Sequence, residues 1–432
     1  MNPKNIARKI LPKRGARFAE ESYRKSRLWL VQARYGFPAK GARVVAVTGT
    51  NGKTTTCLLI NEMLKSAGYR TAMLTTAVTE LNGVAKANIT HRTVPLTADL
   101  MRFFKQARQS KADFVVLEVT SQALHQHKTA GIPVEVAVMT NLSQDHLDYH
   151  HSMEEYAAAK ARLFNGYMKP KVCVLNHDDE WYDYYAKQSA GRVVSYGRKS
   201  GSTLLMKSVH TTAAKTEIAT TSNGRSAKLT TSLVGTFNAY NAAAAALAGL
   251  QLGLNTPEVR KGVAALKTVP GRMEQVDAGQ KFKVIVDYAH TPDALQNALE
   301  TLQGVAKKGR VLVVFGATGD RDKQKRPVMG AVAARYADRI FLTDDETYTE
   351  DPAAIRKAVM EGIRDAGGEN KTTEIGDRRK AINAAFKEAR AGDVVLLAGL
   401  GHQDYRAMAG GKQPWDERDV AKGLLQAQET RS

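Results

Sequence analysis

Short runs of β-branched and other apolar residues alternate with stretches of helical periodicity from Arg43 onward. The strands predicted in the first half are Arg43–Val47, Tyr69–Leu74, Phe114–Glu118, Val136–Thr140, Lys171–Leu175 and Arg192–Tyr196. The helices predicted in this half are Thr54–Lys65, Ala98–Gln109 and Met153–Phe164. This alternation is typical of a parallel sheet covered by helices, so the pattern predicts an α/β fold.

A different pattern lies between Ser202 and Leu233, where polar and apolar residues alternate around Asn223-Gly224. This predicts a small antiparallel meander. The charge-free stretch from Leu229 to Pro257 is long enough for a membrane helix, but its Thr, Asn, Gly and Ala content is too weakly apolar for insertion. We expect an Ala-rich, buried helix from Phe237 to Leu252.

Pro270-Gly271, within Leu266–Arg272, disfavours both helix and strand and predicts a hinge. A second alternation follows the hinge. Its predicted strands are Lys283–Asp287, Arg310–Phe315, Arg339–Leu342 and Val394–Leu397, and its predicted helices are Pro292–Val305, Val328–Ala337, Pro352–Ala366 and Arg378–Glu388. We therefore expect an N-terminal arm (1–40), a central domain (41–268) and a smaller C-terminal α/β domain (269–432).

Length and composition narrow the class of protein. A chain of 432 residues is long enough for two or three domains, and 43% hydrophobic with 25% charged residues is ordinary globular composition. Disordered, collagenous and coiled-coil chains are thereby excluded. Two cysteines, Cys57 and Cys173, cannot build a disulfide framework or a four-cysteine zinc site, and a cytoplasmic location is expected.

The formal charge of +20 indicates an anionic partner, such as a nucleotide, a nucleic acid, a membrane surface or an acidic substrate. Residues 1–40 hold eleven basic and two acidic residues but lack the apolar core of a secretory signal. Two interpretations of this arm stay open: peripheral attachment to the inner membrane face, or a solvated or domain-packing helix. No recognised motif supports nucleic-acid binding. The apolar residues that favour the membrane are Ile10, Leu11, Leu28, Trp29, Leu30 and Tyr35.

The most specific motif is the nine-residue segment from Thr48 to Thr56, which follows an apolar run and precedes a helical pattern. Glycines in such a turn let backbone N–H groups approach phosphate, and the helix N-terminus favours anions. Lys53 would meet the terminal phosphate and Thr54 would hold Mg²⁺. The general P-loop spacing requires glycine where Val47 stands, but a plain glycine turn does not account for Lys53 and Thr54. The segment predicts binding of a nucleoside triphosphate.

This shorter loop resembles that of the Mur ligase family, and the chain is most similar to the MurE branch of that family. Further motifs carry the resemblance through residues 41–432; they lie at 117–124, 140–150, 156–164, 235–241, 269–274, 287–292 and 316–322. The resemblance implies a P-loop central ATPase domain with a parallel sheet and a smaller Rossmann-like C-terminal domain that binds the amino acid. It also implies an ADP-forming ligase of peptidoglycan stem-peptide synthesis, in which ATP converts a carboxylate to an acyl phosphate that an amino acid then attacks.

The resemblance also assigns roles to individual residues. The expected catalytic residues are Lys53, Glu118, His146 and Lys160, with Lys160 carried as a carbamate. Those expected to bind Mg²⁺ are Thr54, Glu118, His146 and Lys160. Those expected to bind ATP are Gly49, Thr50, Asn51, Gly52, Lys53, Thr54, Thr55, Asn238, Asn241, Arg272, Asp287, Tyr288 and His290. From the residues alone, Glu118 could be a surface carboxylate, His146 a structural histidine oriented by Asp145 or Asp148, Lys160 a solvated lysine, and the two asparagines helix caps.

The substrate end departs from the family pattern. Thr93 and Pro95 resemble the contact with the acceptor peptide, and the expected amino-acid contacts are Asp345, Tyr348, His402, Gln403 and Asp404. The Asp-Asn-Pro-Arg of enzymes that add diaminopimelate corresponds here to 345–348, which places a phenol where the guanidinium would be. The family's Gly-Lys-Gly-His-Glu ends here in Gln403, a neutral amide in place of the carboxylate that receives the amino group, for which Asp404 could substitute. The acidic Asp344, Asp345 and Glu346 leave lysine or ornithine open, or form a solvated loop. The UDP-binding domain usual in MurE enzymes is expected to be missing.

Three hypotheses remain at this point. The first is a ligase that extends a muramyl-peptide-like acceptor by one amino acid. The second keeps the chemistry but makes another amino-acid polymer, such as a cyanophycin-like or poly-γ-glutamate chain. The third is a catalytically inert scaffold with a basic tether, against which the intact Lys53, Thr54, Glu118, His146 and Lys160 count.

Overall fold

The computed structural model describes residues 13–88 and 92–429. Its larger sheet has eleven strands. They are β1 (Val44–Thr48), β2 (Thr71–Leu74), β3 (Val78–Leu81), β4 (Val84–Ala87), β5 (Phe114–Glu118), β6 (Val134–Met139), β7 (Val172–Asn176), β8 (Arg192–Gly197), β9 (Leu204–Thr211), β10 (Thr216–Ser222) and β11 (Arg225–Thr231). Their order is β11-β10-β9-β8-β7-β6-β1-β5-β2-β3-β4. The strands from β9 to β2 in this order are parallel, and the two outer pairs on each side are antiparallel: β9 with β10 and β10 with β11, and β2 with β3 and β3 with β4.

Helices cover both faces of this sheet. They are α1 (Lys13–Arg34), α2 (Lys53–Ser66), α3 (Thr97–Gln109), α4 (Ser121–His125), α5 (Leu147–His150), α6 (Met153–Ala161), α7 (Tyr182–Gln188), α8 (Thr236–Gln251) and α9 (Thr256–Ala265). Alternate β1 residues serve the two faces: Val45 and Val47 pack with α2, α8 and α9, whereas Val44 and Ala46 pack with α3, α4 and α6. This two-sided burial explains why the strand sequences are continuous apolar runs.

The predicted meander is confirmed as β9–β11, and it continues the main sheet. Asn223 and Gly224 both have positive φ, as the tight turn between β10 and β11 requires. The hairpin of β3 and β4 was not predicted, although Asn82-Gly83 gives the same turn signal there. The Ala-rich helix is also confirmed as α8, in which Ala242–Ala246 are fully buried.

A second sheet follows the predicted hinge. Its strands are β12 (Glu274–Val276), β13 (Lys283–Asp287), β14 (Val311–Phe315), β15 (Arg339–Leu342), β16 (Thr372–Glu374) and β17 (Val394–Ala398), in the order β12-β13-β17-β14-β15-β16. Its helices are α10 (Pro292–Ala306), α11 (Lys325–Tyr336), α12 (Pro352–Asp365), α13 (Arg378–Glu388) and α14 (Glu417–Glu429). A short 3₁₀ turn (Glu369–Lys371) and a separate hairpin, β18 (Tyr405–Met408) with β19 (Gly411–Pro414), complete the unit. All pairs except β12 with β13 are parallel, which confirms the predicted α/β class.

The described part of the arm is a helix that packs on the larger unit. The Gln32 side-chain amide donates a 2.6 Å hydrogen bond to the carbonyl of Ala130, and Leu28 is buried. Tyr35 is partly buried against the same core, so Leu28 and Tyr35 belong to the packed face. Trp29 and Leu30 are about 60% exposed, at 59% and 61%. Ile10 and Leu11 lie outside the described residues. Among the described residues, no helix has the length and apolar content of a membrane span.

Candidate active site

The glycine loop joins β1 to α2 at the carboxyl edge of the parallel sheet, where open α/β sheets bind ligands. Gly49 and Gly52 have positive φ. A Cβ at Gly49 would lie 1.8 Å from the Thr140 hydroxyl, and one at Gly52 would lie 2.2 Å from the Asn241 amide oxygen. Both positions therefore require glycine for conformation and for space. The N-terminus of α2 opens directly from this loop.

Two lysines converge on the loop. Lys53 Nζ donates hydrogen bonds to the carbonyls of Gly49 (3.1 Å) and Thr50 (2.7 Å), and Lys160 Nζ donates to the same Gly49 carbonyl at 2.6 Å. Lys160 is 1% exposed and lies 4.5 Å from the centroid of the Tyr156 ring. Burial and the neighbouring Lys53 charge lower the pKa of Lys160 well below its usual value. Burial also lowers the pKa of Lys53.

Glu118 ends β5 and is buried beside the loop, so the sequence-based alternative of a surface carboxylate is wrong. One carboxylate oxygen accepts 2.8 Å hydrogen bonds from the Thr54 hydroxyl and the Thr76 backbone N–H. The other accepts a 2.9 Å hydrogen bond from the Thr76 hydroxyl. The carboxylate is therefore fixed against the first turn of α2. Lys160 is likewise not a solvated lysine, because its side chain is enclosed.

His146 follows β6 and adopts a left-handed backbone conformation. Its Nε2 lies 3.3 Å from the buried Asp145 carboxylate, and Lys325 Nζ lies 3.6 Å from the same group. Burial lowers the pKa of His146, which favours a neutral ring. The Asp145 carboxylate is therefore contacted by His146 of the larger unit and by Lys325 of the smaller unit. Asp148 forms no such contact with His146 among the described ion pairs.

The first strand end of the smaller unit supplies the next group of expected residues. The Arg272 guanidinium stacks on the Tyr288 ring at 4.4 Å, and Tyr288 contacts the His290 ring with centroids 4.5 Å apart. Burial lowers the pKa of His290 to about 3. Asp287 accepts a 2.7 Å hydrogen bond from the Met273 N–H, and burial raises the pKa of Asp287. These side chains are largely removed from water, and the Arg272 guanidinium is the group among them that always carries a charge.

The expected asparagines lie at the start of α8. Asn238 donates to the carbonyl of Val234 at 2.8 Å, and Asn241 donates to the Asn238 amide oxygen at 3.1 Å. Both side chains are buried. Because the Asn241 amide also lies against Gly52, the two hydrogen-bonded asparagines support the glycine loop. The N-cap of α8 is Gly235, which has no side chain, so neither asparagine is the helix cap.

A cavity of about 680 Å³ lies between the loop and the smaller unit. Cavities of this size commonly hold small-molecule ligands and cofactors. The expected residues that line it are Thr50, Asn51, Gly52, Lys53, Thr54, Thr55, Glu118, His146, Asn241, Arg272, Asp287, Tyr288 and His290, together with Thr93. Gly49, Lys160 and Asn238 lie behind this lining. Most of the expected nucleotide residues therefore share one space.

A second cavity, of about 410 Å³, adjoins the first and shares Asp145, His146, Tyr288 and His290 with it. It also contains the expected amino-acid contacts Asp345, Tyr348, His402, Gln403 and Asp404. Thr93 lines the larger cavity, and its hydroxyl is 2.6 Å from that of Thr76, which lines both cavities. Pro95 is buried beside it and lines neither cavity.

Comparison with known proteins identifies both units. Residues 47–249 match the model of the Mur ligase middle domain, and residues 271–401 match that of the Mur ligase glutamate ligase domain. A UDP-N-acetylmuramoyl-L-alanyl-D-glutamate–2,6-diaminopimelate ligase of Geobacillus kaustophilus (strain HTA426) is 41% identical over 408 residues, which are 93% of this chain and 82% of that protein.

The chain belongs to the Mur ligase family.

Further relatives and solved structures match over similar shares of this chain. The Aquifex aeolicus (strain VF5) protein with the same ligase name is 38% identical over 391 residues, covering 90% of this chain and 79% of that protein. A solved structure of a ligase with that name has a TM-score of 0.62 at 35% identity, over 90% of this chain and 79% of that one. A Mycobacterium tuberculosis folylpolyglutamate synthase complexed with ADP shares the fold, with a TM-score of 0.71 at 19% identity over 87% and 91% of the chains.

Several residues of this Mur ligase site were not predicted from the sequence. Thr76 follows β2 at the same sheet edge as Glu118, and its place after a predicted strand was the available signal. Arg321 lies within the 316–322 motif but received no role. Asp293 follows Pro292 in the first turn of α10, a pattern that marks a helix start without revealing what it faces. Lys325 had no comparable signal, because its partner Asp145 is 180 residues away in sequence.

Proposed function

We propose that this Mur ligase is an ATP-dependent, ADP-forming amide ligase that adds one amino acid to a muramyl-peptide-like acceptor in peptidoglycan stem-peptide synthesis. The 41% identity to a curated ligase of that pathway, over 93% of this chain, is the observation that carries the ligase class. The clustered loop, carboxylate and lysines at one cavity support retained catalysis. A catalytically inert scaffold would not require that cluster.

ATP is assigned to the larger cavity. The backbone N–H groups of the glycine loop and the N-terminus of α2 would bind its phosphates, with Lys53 neutralising the terminal one. Lys53 now donates to two loop carbonyls, so a phosphate would replace those acceptors. Arg272, held on the Tyr288 ring, would add a second cation from the smaller unit. Asn241 would keep the loop in its binding conformation.

The donor set suits Mg²⁺, which prefers hard oxygen ligands. Glu118 and the Thr54 hydroxyl lie together, and His146 lies on the same cavity wall. Among the described residues no three His, Cys, Asp or Glu side chains form a metal cluster. Glu118 and His146 would therefore need a further anionic ligand to hold the metal. A carbamate on Lys160 would supply it, because a buried lysine with a lowered pKa has the neutral amine that combines with CO₂. The metal would neutralise charge between triphosphate and carboxylate.

The chain's own groups then account for the chemistry. The acceptor carboxylate attacks the γ-phosphate of ATP, ADP departs, and the amine of the incoming amino acid displaces phosphate from the acyl phosphate. Lys53 and Arg272 offset the charge that these reactants bring together. An acyl phosphate in the cavity between the two units would have to be shielded from water by bound reactants, because it would otherwise hydrolyse. Thr93 and Pro95 are assigned to the acceptor, and Asp345, Tyr348 and His402, which line the adjoining smaller cavity, are assigned to the amino acid.

The test of this function is ADP release from a matrix of acceptors and amino acids. We expect release to require both a muramyl-dipeptide acceptor, nucleotide-linked or lipid-linked, and an amino acid, with product confirmed by mass spectrometry. Product with a cyanophycin-like or poly-γ-glutamate acceptor instead would move the chain to another amino-acid polymer. ATP turnover that no acceptor stimulates, or no ATP binding, would refute the ligase assignment.

We also propose the division into a central domain (41–268) and a C-terminal domain (269–432), with residues 1–40 touching an anionic membrane surface. The exposed Trp29 and Leu30 on a basic helix support this attachment. Co-sedimentation with phosphatidylglycerol vesicles should fall when both are replaced by serine and when salt is raised. Equal sedimentation of the variant and the parent chain would end the idea.

A further inference from the structure

One residue in the turn between β2 and β3 contacts both the carboxylate of the proposed metal site and a residue assigned to the acceptor. This residue is Thr76, and it lines both cavities. It forms hydrogen bonds with Glu118 and with Thr93. No step of the proposed chemistry uses Thr76, although it lies between two residues that have proposed roles.

Thr76 holds both oxygens of the Glu118 carboxylate. Its backbone N–H donates to Oε2 at 2.8 Å, and its hydroxyl donates to Oε1 at 2.9 Å. Because two donors of one residue meet two oxygens of one carboxylate, they fix the rotation of that group as well as its position. The Thr54 hydroxyl donates to Oε2 at 2.8 Å and does not contact Oε1. Among the described residues, Thr76 therefore sets the orientation of Oε1.

The hydrogen bonds leave one oxygen of Glu118 with an open lone pair. A carboxylate offers about four lone-pair sites, two on each oxygen. Oε2 accepts hydrogen bonds from Thr54 and Thr76, whereas Oε1 accepts one, from the Thr76 hydroxyl, within the described part of the chain. Glu118 also lines the larger cavity. The remaining lone pair of Oε1 is thus available to a cation in this cavity, and the Thr76 hydroxyl sets its direction.

The number of hydroxyl protons fixes the direction of the next hydrogen bond. An ionised carboxylate only accepts, so the one hydroxyl proton of Thr76 is committed to Glu118. The Thr93 hydroxyl is therefore the donor in its 2.6 Å contact with the Thr76 hydroxyl. The hydrogen bonds run from Thr93 through Thr76 to Glu118, and each one polarises the next. A change at Thr93 thus affects the carboxylate without contacting it.

A buried asparagine fixes the backbone on both sides of this contact. The Asn88 side-chain amide donates to the carbonyl of Thr75 at 2.7 Å and to the carbonyl of Arg92 at 3.1 Å. Thr75 directly precedes Thr76, and Arg92 directly precedes Thr93. Asn88 therefore joins the two segments that carry the threonines, so their separation is set by the backbone as well as by their hydroxyl groups.

We infer that Thr76 is a positioning residue of the ligase, which orients the Glu118 carboxylate for a divalent cation and couples that carboxylate to Thr93. The inference rests on the proposed function, because it takes Glu118 as a ligand of Mg²⁺ and Thr93 as a contact of the acceptor. The role of the hydroxyl can be separated from packing. Valine keeps the shape of threonine and lacks the hydroxyl, whereas serine keeps the hydroxyl and lacks the methyl group.

Metal binding tests the orienting role with a readout other than activity. The full chain, with a non-hydrolysable ATP analogue, is titrated with Mn²⁺, and the bound ion is followed by electron paramagnetic resonance. Thr76→Val should weaken Mn²⁺ binding about 10-fold, as loss of a hydrogen bond to a metal ligand does, whereas Thr76→Ser should stay within about threefold of the parent chain. The matched control Thr79→Val, on β3 and lining neither cavity, should bind as the parent does. Equal Mn²⁺ affinity of Thr76→Val and the parent overturns the inference.

A double variant tests the coupling to Thr93. Thr93→Val should weaken Mn²⁺ binding about two- to threefold, and Thr76→Val combined with Thr93→Val should bind no more weakly than Thr76→Val alone, because both changes interrupt one chain of hydrogen bonds. Parent-like affinity of Thr93→Val, or effects of the two changes that multiply, overturns the coupling. Urea unfolding checks that each variant is folded. Thr76→Ala, which also lacks the hydroxyl, takes the place of Thr76→Val if that variant does not fold.

Kinetics separate this inference from the proposed function. If the parent chain forms the amide, Thr76→Val should lower kcat about 10-fold at limiting Mg²⁺ and recover most of the rate at saturating Mg²⁺, with the KM for the amino acid unchanged. A loss of rate that Mg²⁺ does not relieve overturns the inference. A parent chain that forms no amide with any acceptor refutes the proposed function instead, and the Mn²⁺ titration still decides the role of Thr76.

Discussion

The Asn51 side-chain amide donates a 2.7 Å hydrogen bond to the carboxylate of Asp293. Asn51 belongs to the glycine loop of the larger unit, and Asp293 lies in the first turn of α10 in the smaller one. Asn297, one turn further along α10, donates to the same carboxylate at 3.1 Å. The two units are thus joined directly beside the glycine loop, so we expect this contact to contribute to nucleotide binding.

Removing this contact should weaken ATP binding. Asp293→Ala is expected to raise the KM for ATP about fivefold, since one hydrogen bond contributes about 1 kcal/mol, with a smaller change in kcat. The exposed Asp365→Ala, also in the smaller unit, is the control. Initial rates over a range of ATP concentrations measure the effect. An unchanged KM in Asp293→Ala would show that the contact does not support nucleotide binding.

Lys160 should be indispensable as a modified residue. Lys160→Ala is expected to lose activity on the order of 100-fold, because the cavity loses an anionic ligand and keeps an unfilled space. Acetate or formate should restore part of the rate by supplying a carboxylate. Lys187→Ala, at an exposed position on α7, should retain full activity. Full activity of Lys160→Ala would refute the carbamate proposal.

Glu118→Gln should raise the requirement for Mg²⁺. The side chain keeps its size, but it loses its charge and turns an N–H₂ group toward donors from Thr54 or Thr76. We expect the Mg²⁺ concentration for half-maximal activity to rise about tenfold or more. A titration of activity against Mg²⁺ measures it, with exposed Glu155→Gln as the control. Identical titration curves would argue against Glu118 as a metal ligand.

Arg378 and Glu417 should contribute strongly to the stability of the smaller unit. They pair at 2.6 Å with both side chains fully buried, and Trp415 also donates to Glu417. Glu417→Ala is expected to lower the free energy of unfolding by about 3–5 kcal/mol, because it leaves an uncompensated buried guanidinium. Glu369→Ala, which removes an exposed pair with Arg364, should cost about 0–1 kcal/mol. Urea unfolding compares them; equal costs would contradict the prediction.

His150 should make the protein less stable in mild acid. Its ring is buried against Ser121, and burial lowers its pKa to about 3. Between pH 6.5 and pH 3 the unfolded chain binds the extra proton, so stability falls by about 1.4 kcal/mol per pH unit as the pH drops, and is unaffected above pH 6.5. His150→Asn should flatten the fall in unfolding free energy between pH 6.5 and 5, whereas exposed His151→Asn should not. Parallel profiles for the three proteins would exclude His150.

The parallel strands were predictable because burial on both faces leaves a continuous apolar run, as in Phe114–Glu118. The hairpin of β3 and β4 was not, since its strands are four residues each and β4 is exposed throughout. The helix predicted from Val328 begins at Lys325, because Lys325 and Arg326 are buried through ion pairs and read as polar loop residues. Hydrophobic periodicity does not predict such positions, because their burial depends on ion pairs with residues elsewhere in the sequence.

The candidate site follows the same division. Lys53, Thr54 and Glu118 were predictable because each lies at a strand end or in a glycine turn of recognisable spacing. Asn51 and Asp293 are 242 residues apart in the sequence, and no local sequence pattern predicts their contact. Within the described residues, Arg321 is the one lysine or arginine lining the smaller cavity that forms no ion pair. This difference arises from tertiary packing, which the local sequence does not reveal. The sequence therefore indicated the chemistry of the site, whereas the contacts made by packing of the two units required the structure.

The outermost strand of the larger sheet, β4, has all four residues exposed and pairs on one side with β3. Strands with so little buried area open locally at small free-energy cost, independently of global unfolding. Thr93, assigned to the acceptor, follows Ala87 by six residues. We therefore expect amide hydrogen exchange to be orders of magnitude faster at Val84–Ala87 than at Val44–Thr48, so that the margin of the sheet breathes while β1 and β5 stay closed.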